Sequence, residues 1–371
     1  MGTILLFIIV LSLLVFVHEL GHFLMAKKMG MRVDEFGFGF PPRLFAIRRG
    51  GTDYSINWIP LGGFVKIKGE SGAHKFETDS FSSKKAWQRF LVLIAGVAMN
   101  IFLAAILFSI GFMVGLPSQI DDTLPAGARV VDQEVLIMQV LESSPASGAG
   151  ILPGDVLVSV DGRFFETDAE ARAYIQERGE EPLSVIVEGE DGTDRTYVLS
   201  ATYLEEVDAT ALGIGFITTG TVSYPFFTAL VQGVGTTFSL TWEVLKAFVD
   251  LIRNLVSGQG VGVELSGPVG IAVMTGEVAA LGLIYLLQFT AILSINLAII
   301  NVLPFPALDG GRILFLIIEK LRSKPVDERV EAVVHNLGFL FLMVLVVLVT
   351  YRDVVTFGDE IIGAIKGMVG V

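Results

Sequence analysis

His18, Glu19 and His22 lie within and at the end of an apolar run from Gly2 to Phe23. A run of about 20 residues is what a helix needs to cross roughly 30 Å of hydrocarbon. Ionisable groups at that depth are costly unless paired or bound, so their presence there marks a functional site. On a helix the two imidazoles leave one face one turn apart, the spacing that two nitrogen ligands of a zinc ion require. Glu19 sits beside them, placed to take a proton from a water that the metal activates. The chemistry implied is metal-assisted hydrolysis inside a membrane. A signal peptide fits poorly, because Met1 to Val17 has no Lys or Arg and Lys27-Lys28 follow the run instead of preceding it. A retained span is expected.

Two histidines leave a catalytic zinc site one protein ligand short. The chain has 4 His and no Cys, which excludes thiolate ligands and disulfides. His74 falls in a polar loop and is expected to be solvated. His335 begins a later apolar run and is expected to be structural or interfacial. The third ligand is then a carboxylate, and Asp309 is the candidate, in Asn301-Val302-Leu303-Pro304-Phe305-Pro306-Ala307-Leu308-Asp309-Gly310-Gly311. Pro304 and Pro306 end a helix there, and the glycines permit tight turns. Zn2+ is the expected cofactor, held by His18, His22 and Asp309.

The elements that position these residues are read from composition. The chain is 52% hydrophobic with a mean hydropathy of +0.67, too apolar for a soluble protein of this length. The expected fold is an α-helical polytopic membrane protein of about four transmembrane helices. A first span with HExxH occupies 1–32, a second 90–116, a third with the LDG sequence 279–311, and a fourth 333–351. Charge is sorted by segment. Residues 25–89 hold 12 Lys/Arg against 6 Asp/Glu, residues 116–280 hold 7 against 24, and residues 306–333 hold 5 against 5. Because cytoplasmic loops collect Lys and Arg, the first and last segments are expected inside and the acidic one outside, with both termini outside. The metal site then faces the cytoplasm.

Between the spans, residues 33–89 are expected to hold a cytoplasmic-side, membrane-associated β-hairpin. Phe36, Phe38 and Phe40 alternate with Gly37 and Gly39, and Gly50-Gly51 and Gly62-Gly63 are turn signals. Such a hairpin can offer a strand edge to an extended peptide, with Phe36, Gly37 and Phe38 the candidate substrate-binding residues. The stretch Gly150-Ile151-Leu152-Pro153-Gly154-Asp155 through Asp161-Gly162, with a capping box at Thr167 and Glu170, resembles a PDZ domain of the bacterial protease type over 124–205. Binding a peptide or C-terminus is one role open to it, and serving only as a steric filter over the site is the other. Residues 225–257 read as an interfacial amphipathic helix and 354–371 as an amphipathic tail.

Taken together, HELGH in the first span, NVLPFPALDGG at the third and a PDZ domain between spans two and three resemble the site-2 protease family of intramembrane zinc metalloproteases. The likeness is to its bacterial RseP/RasP group. It covers nearly the whole chain and includes Gly96-Val97-Ala98-Met99-Asn100 and Leu265 to Ile271. The resemblance implies that His18, His22 and Asp309 bind zinc, that Glu19 activates water, and that Asn296 and Asn301 handle substrate. Helix–helix hydrogen bonding is the alternative role for the two asparagines. It also implies single-span membrane proteins, such as anti-sigma factors or signal-peptide remnants, as substrates, already cut by a site-1 protease. A bacterial inner membrane is the implied location. The chain departs from two-PDZ members in having room for one such domain. The acidic outer segment argues against nucleic acid as a partner. A non-catalytic adaptor would not need Glu19 and all three ligands, and a metal transporter would spread its ionisable groups across several depths.

Overall fold

The computed structural model describes residues 2–70, 74, 76–120, 124–125, 127–189, 191–204, 208–258, 266–324 and 326–358. The chain forms two compact units, Met1–Ile110 with Leu230–Val371, and Gly111–Ala229.

The first unit begins with α1 (Gly2–Lys28), an apolar helix that ends on Lys27 and Lys28, cations that suit the negative end of its dipole. A hairpin follows, β1 (Val33–Arg49) and β2 (Thr52–Ile67). Both strands bend, β1 at Pro41-Pro42 and β2 near Gly62, whose φ is 78°. The bends give Phe36, Gly37 and Phe38 partners on both sides: Tyr54, Ser55 and Ile56 on one, Val65, Phe64 and Gly63 on the other. The far part of the hairpin exposes Phe40, Leu44, Phe45, Ile47, Ile56, Trp58 and Ile59. Next comes α2 (Ala86–Val114). It meets α1 at Gly21, where a Cβ would stand 2.3 Å from the Ala95 carbonyl oxygen. Small residues let apolar helices touch backbone to backbone, and only glycine fits here.

In the second unit, β3 (Leu116–Gln119), β4 (Arg129–Val140), α3 (Pro145–Ala149), β5 (Val156–Val160), α4 (Asp168–Arg178), β6 (Pro182–Glu188), β7 (Asp194–Ser200), β8 (Thr202–Leu204), β9 (Ala209–Ala211) and β10 (Ile214–Ser223) follow in order. Six strands make one sheet in the order β3-β10-β4-β5-β6-β7, and β8 pairs β9. Val135, Ile137, Leu157, Leu183, Val185, Val187 and Phe216 fill its core against Ala146 of α3 and Ala171 and Ile175 of α4. Thr167 caps α4, its hydroxyl accepting the Glu170 N–H, while the Glu170 carboxylate accepts the Glu166 N–H. The 124–205 boundary expected from sequence is too narrow, since β3 and β10 belong to the same sheet. In β10 the buried face carries Phe216, Thr218, Gly220 and Val222, so its alternation is masked by Thr and Gly.

The first unit resumes in α5 (Phe226–Ser257), α6 (Pro268–Leu281), α7 (Leu283–Val302), α8 (Asp309–Arg322) and α9 (Glu328–Thr356). α5 carries Trp242 and Val249 exposed among Glu243, Lys246, Asp250 and Arg253. The span expected from Ala279 is the helix α7, which begins four residues later because Gly282, with a φ of 129° that a side chain rarely adopts, separates it from α6. α8 occupies the segment between the third and fourth expected spans, to which the sequence reading assigned no element. The carboxylate of buried Asp353 accepts the N–H groups of Gly267 and Gly270, at 3.1 and 2.8 Å, and ties α9 to the start of α6. The amphipathic tail expected at 354–371 lies mostly outside the described residues; α9 itself ends at Thr356. Among the described residues, four helices are long and apolar enough to cross a membrane: Gly2–Lys28, Ala86–Val114, Leu283–Val302 and Arg329–Thr356.

The Gly21 contact gives a direct test. Gly21→Val should lower the melting temperature of the detergent-purified protein by several degrees, because the α1–α2 crossing must open to admit the side chain. An unchanged melting curve would mean the helices do not meet there.

Candidate metal centre

Two faces of α1 build the centre. His18 and His22, one turn apart, are buried, at 6% and 7% exposure. The His22 Nδ1–H donates to the Val92 carbonyl of α2 at 2.8 Å. That bond fixes the tautomer and leaves the Nε2 lone pair for a metal. Nε2 of His22 lies 3.1 Å from Nε2 of His18.

Asp309 arrives from another element. After α7 the chain passes through Leu303 to Leu308 and turns into α8, with Asp309 in its first turn, where an acid suits the helix dipole. Gly310 and Gly311 make that turn possible: a Cβ would stand 2.1 Å from the Leu303 oxygen at the first and 2.3 Å from the Phe305 oxygen at the second. Ala307, held at a φ of 79°, donates its N–H to His335 Nδ1 at 2.9 Å. His335 therefore braces the ligand-bearing turn and does not join the centre. His74 pairs with Glu77 at the surface.

Asp309 Oδ2 lies 2.9 Å from His18 Nε2 and 3.2 Å from His22 Nε2. Donor atoms on a tetrahedral zinc, each about 2.0–2.2 Å from the metal, stand about 3.3 Å apart. The three side chains thus converge at the separations that zinc ligation demands, and they are the cluster of metal-ligand type among the described residues. The donor set, two imidazoles and one carboxylate with no thiolate, fits a catalytic zinc.

Glu19 turns toward the hairpin, its Oε2 accepting the Val65 N–H at 3.1 Å. Val65 is paired with Phe36 across the sheet, and its N–H is taken by this carboxylate of α1. Ser12 of α1 donates to the Pro60 carbonyl at 2.6 Å and accepts the Gly62 N–H at 3.2 Å. β2 is therefore fastened along α1 from Ser12 to Glu19, and the Val65 N–H of its 63–67 stretch is taken by the carboxylate. Phe36, Gly37 and Phe38 are interior to the sheet instead of at its edge. Phe36 and Phe38 pack on Phe16, with ring centroids 5.4 and 6.0 Å apart. Asn296 and Asn301 lie half-buried on α7. Neither belongs to the ligand cluster.

Sequence reading missed the floor of the site. At Gly96 of α2, a Cβ would lie 2.4 Å from His22 Nε2 and 2.7 Å from His18 Nε2. Gly96 and Asn100 sit in the Gly-Val-Ala-Met-Asn stretch already singled out, but the contact that explains them needs the fold.

A helix-borne His pair, an adjacent glutamate and a carboxylate from a third element, all among spanning helices, define a membrane-embedded metallopeptidase centre. The family model for peptidase family M50 matches residues 6–345. The chain is similar to the regulator of sigma-W protease RasP of Bacillus subtilis, at 30% identity over 95% of this chain and 98% of that one. It is similar also to the zinc metalloprotease RasP of Geobacillus kaustophilus, at 31% identity over 95% and 97%. A solved PDZ domain of an SdrC-like protein from Listeria innocua is similar at 24% identity, covering 22% of this chain and 92% of that domain, with a TM-score of 0.20. The chain belongs to peptidase family M50, as an intramembrane zinc metalloprotease of the site-2 type.

Two variants probe the centre. Asp309→Ala should purify with little zinc, and Gly96→Ala should lower zinc affinity by about 10-fold or more, since the added methyl displaces the imidazoles. Metal analysis of the purified proteins checks both, and wild-type zinc content in Asp309→Ala would remove that residue from the centre.

Proposed function

We propose that this protein hydrolyses a peptide bond within the membrane-spanning segment of single-span membrane proteins, with Glu19 as the general base. The observation that carries this reading is the strand side at residues 63–67, which runs along an apolar helix and ends at Glu19.

A helical substrate hides its carbonyls in its own hydrogen bonds and must unwind before one can be attacked. An extended segment then needs new main-chain partners, and strand addition to a free edge supplies them. The 63–67 stretch of β2 would be that edge once a substrate strand takes the Val65 N–H from Glu19, and Phe36, Gly37 and Phe38 form the strand that backs it. Asn296 and Asn301 offer amide groups to the unwound main chain. The exposed apolar residues from Phe40 to Ile59 suit a hairpin that dips into the bilayer.

His18, His22 and Asp309 hold the zinc. When bound, zinc supplies Lewis acidity, which activates water near neutral pH and polarises a carbonyl. Glu19 takes the proton from the attacking water and delivers it to the leaving amine. Before substrate binds, the Val65 N–H holds one Glu19 carboxylate oxygen, and its transfer to the substrate strand releases the carboxylate for the proton. The surrounding apolar helices exclude competing water.

Charge sorting supports a bacterial inner-membrane orientation with residues 25–89 in the cytoplasm and both termini and the acidic second unit outside. The Bacillus relative is named a regulator of sigma-W protease, which supports substrates that control a sigma factor; anti-sigma factors already cut by a site-1 protease would fit that class. The second unit is read as one PDZ domain. Among the described residues β3 pairs β10 from Thr219 to Val222 and the Ile120 N–H reaches the Thr218 carbonyl, so Ile214 to Ile217 have β4 as their strand partner. Beside them a cavity of about 320 Å³ is lined by Arg172, Ile175 and Gln176 of α4. A peptide or C-terminus would add there as a strand, displacing the Arg172 guanidinium from the Phe216 carbonyl.

The test is cleavage of a doubly tagged single-span reporter lacking most of its outer domain. Wild type should yield a product cut within the span, and Glu19→Gln should lose at least about 100-fold of that activity while keeping its zinc. Cleavage at the wild-type rate by Glu19→Gln would sink the general-base role.

A further inference from the structure

We infer that Asn100 is a positioning residue of the metal centre: its side-chain oxygen accepts the Nδ1–H of His18 and thereby keeps the His18 Nε2 lone pair for zinc. The inference rests on ligation by His18.

The two ligand histidines are anchored from α2, but with different visible partners. For His22 the partner is the Val92 carbonyl, which can only accept, so Nδ1 carries the proton and Nε2 is free to ligate. For His18 the group facing Nδ1 is the Asn100 amide, with Nδ2 at 3.5 Å. Asn100 is fully buried, at 0% exposure, and its Oδ1 has no hydrogen-bond partner. An amide donor facing Nδ1 would require the proton to sit on Nε2, the nitrogen that must be bare to bind metal. Amide oxygen and nitrogen are distinguished only by their hydrogen bonds. With the amide turned over, Oδ1 meets the Nδ1–H, both histidines take the same tautomer, and the orphaned acceptor gains a donor.

The residue is also fixed in place. Ser294 of α7, itself buried, donates its hydroxyl to the Asn100 carbonyl at 2.8 Å. Gly96, one turn earlier on the same helix, brings α2 against both imidazoles. α2 thus presents a backbone carbonyl to one histidine, a side-chain carbonyl to the other, and no Cβ between them. Outer partners of this kind set ring orientation and ligand basicity, and their loss typically lowers metal affinity by 10- to 100-fold.

Zinc affinity of the full-length, detergent-purified protein tests this by competition with a chromophoric chelator. Asn100→Leu, close in volume but without an acceptor, should bind zinc about 10- to 100-fold more weakly. Asn100→Asp keeps an acceptor and should stay within about 3-fold of wild type or bind more tightly. Metal-free melting temperatures report any loss of packing separately. Equal affinity in Asn100→Leu and wild type overturns the proposal. So does an Asn100→Asp affinity as low as that of Asn100→Leu, which would assign Asn100 to packing alone. Should Asn100→Leu not fold, a weak-binding Asn100→Asp still overturns the proposal and a tight-binding one supports it. A His18→Ala variant that holds zinc as tightly as wild type would remove the ligand itself, a failure distinct from that of Asn100.

Discussion

Bringing two imidazoles and a carboxylate within 3.2 Å of one another among apolar helices is the constraint on which the membrane unit depends. A buried polar atom without a partner costs free energy, and lipid supplies none. α2 must therefore come close enough to α1 for its Val92 carbonyl to reach His22. Glycine at both Gly21 and Gly96 makes that approach possible, because a Cβ at either position would collide with the facing helix. The two glycines are not flexible points. They are the places where side-chain volume was removed so that backbone polarity on one helix can serve ligands on the other.

The third member of the cluster poses a different problem. A carboxylate from within a continuous spanning helix would carry its charge through the bilayer core. Asp309 avoids this by opening a helix of its own, after α7 has ended at Val302 and the chain has turned back over Gly310 and Gly311. Its position in the first turn of α8 places negative charge where the aligned peptide dipoles favour it. The turn is held from outside by His335, which accepts the Ala307 N–H, and by Gly338 of α9, where a Cβ would stand 2.5 Å from the Pro306 side chain. α9 is otherwise the least buried of the four long apolar helices, so this contact is its main link to the chemistry.

Residues whose role depends on type and local spacing were legible in the sequence. The His18–His22 pair, Glu19 beside it, Asp309 among prolines and glycines, and the Thr167–Glu170 cap all follow from rules spanning a few residues. Roles that depend on which strand or helix lies opposite were not. The hairpin was legible as strands, with Phe36 to Phe38 as candidate substrate contacts, yet the bends in β1 and β2 place these residues between two partners. Gly282 was lost within an apolar run, since hydropathy does not register a backbone break. β10 was lost because Thr and Gly occupy its inward positions. Gly96 and Asn100 carried a signal, but their meaning lies in contacts with His18 and His22, more than 70 residues away.

The inner part of the hairpin is braced where the outer part is apolar. The Glu35 carboxylate, buried near the root of β1, accepts hydrogen bonds from Ser55 at 2.8 Å, Arg43 at 2.5 Å and Lys66 at 3.0 Å. These donors sit on the segments that flank the 33–40 stretch, so one charged group ties the sheet together beside the metal centre. An extended peptide that meets a rigid, prealigned edge loses less entropy in the enzyme on binding than one that must order a loop. Freezing the edge spends ordering free energy during folding, before any substrate arrives.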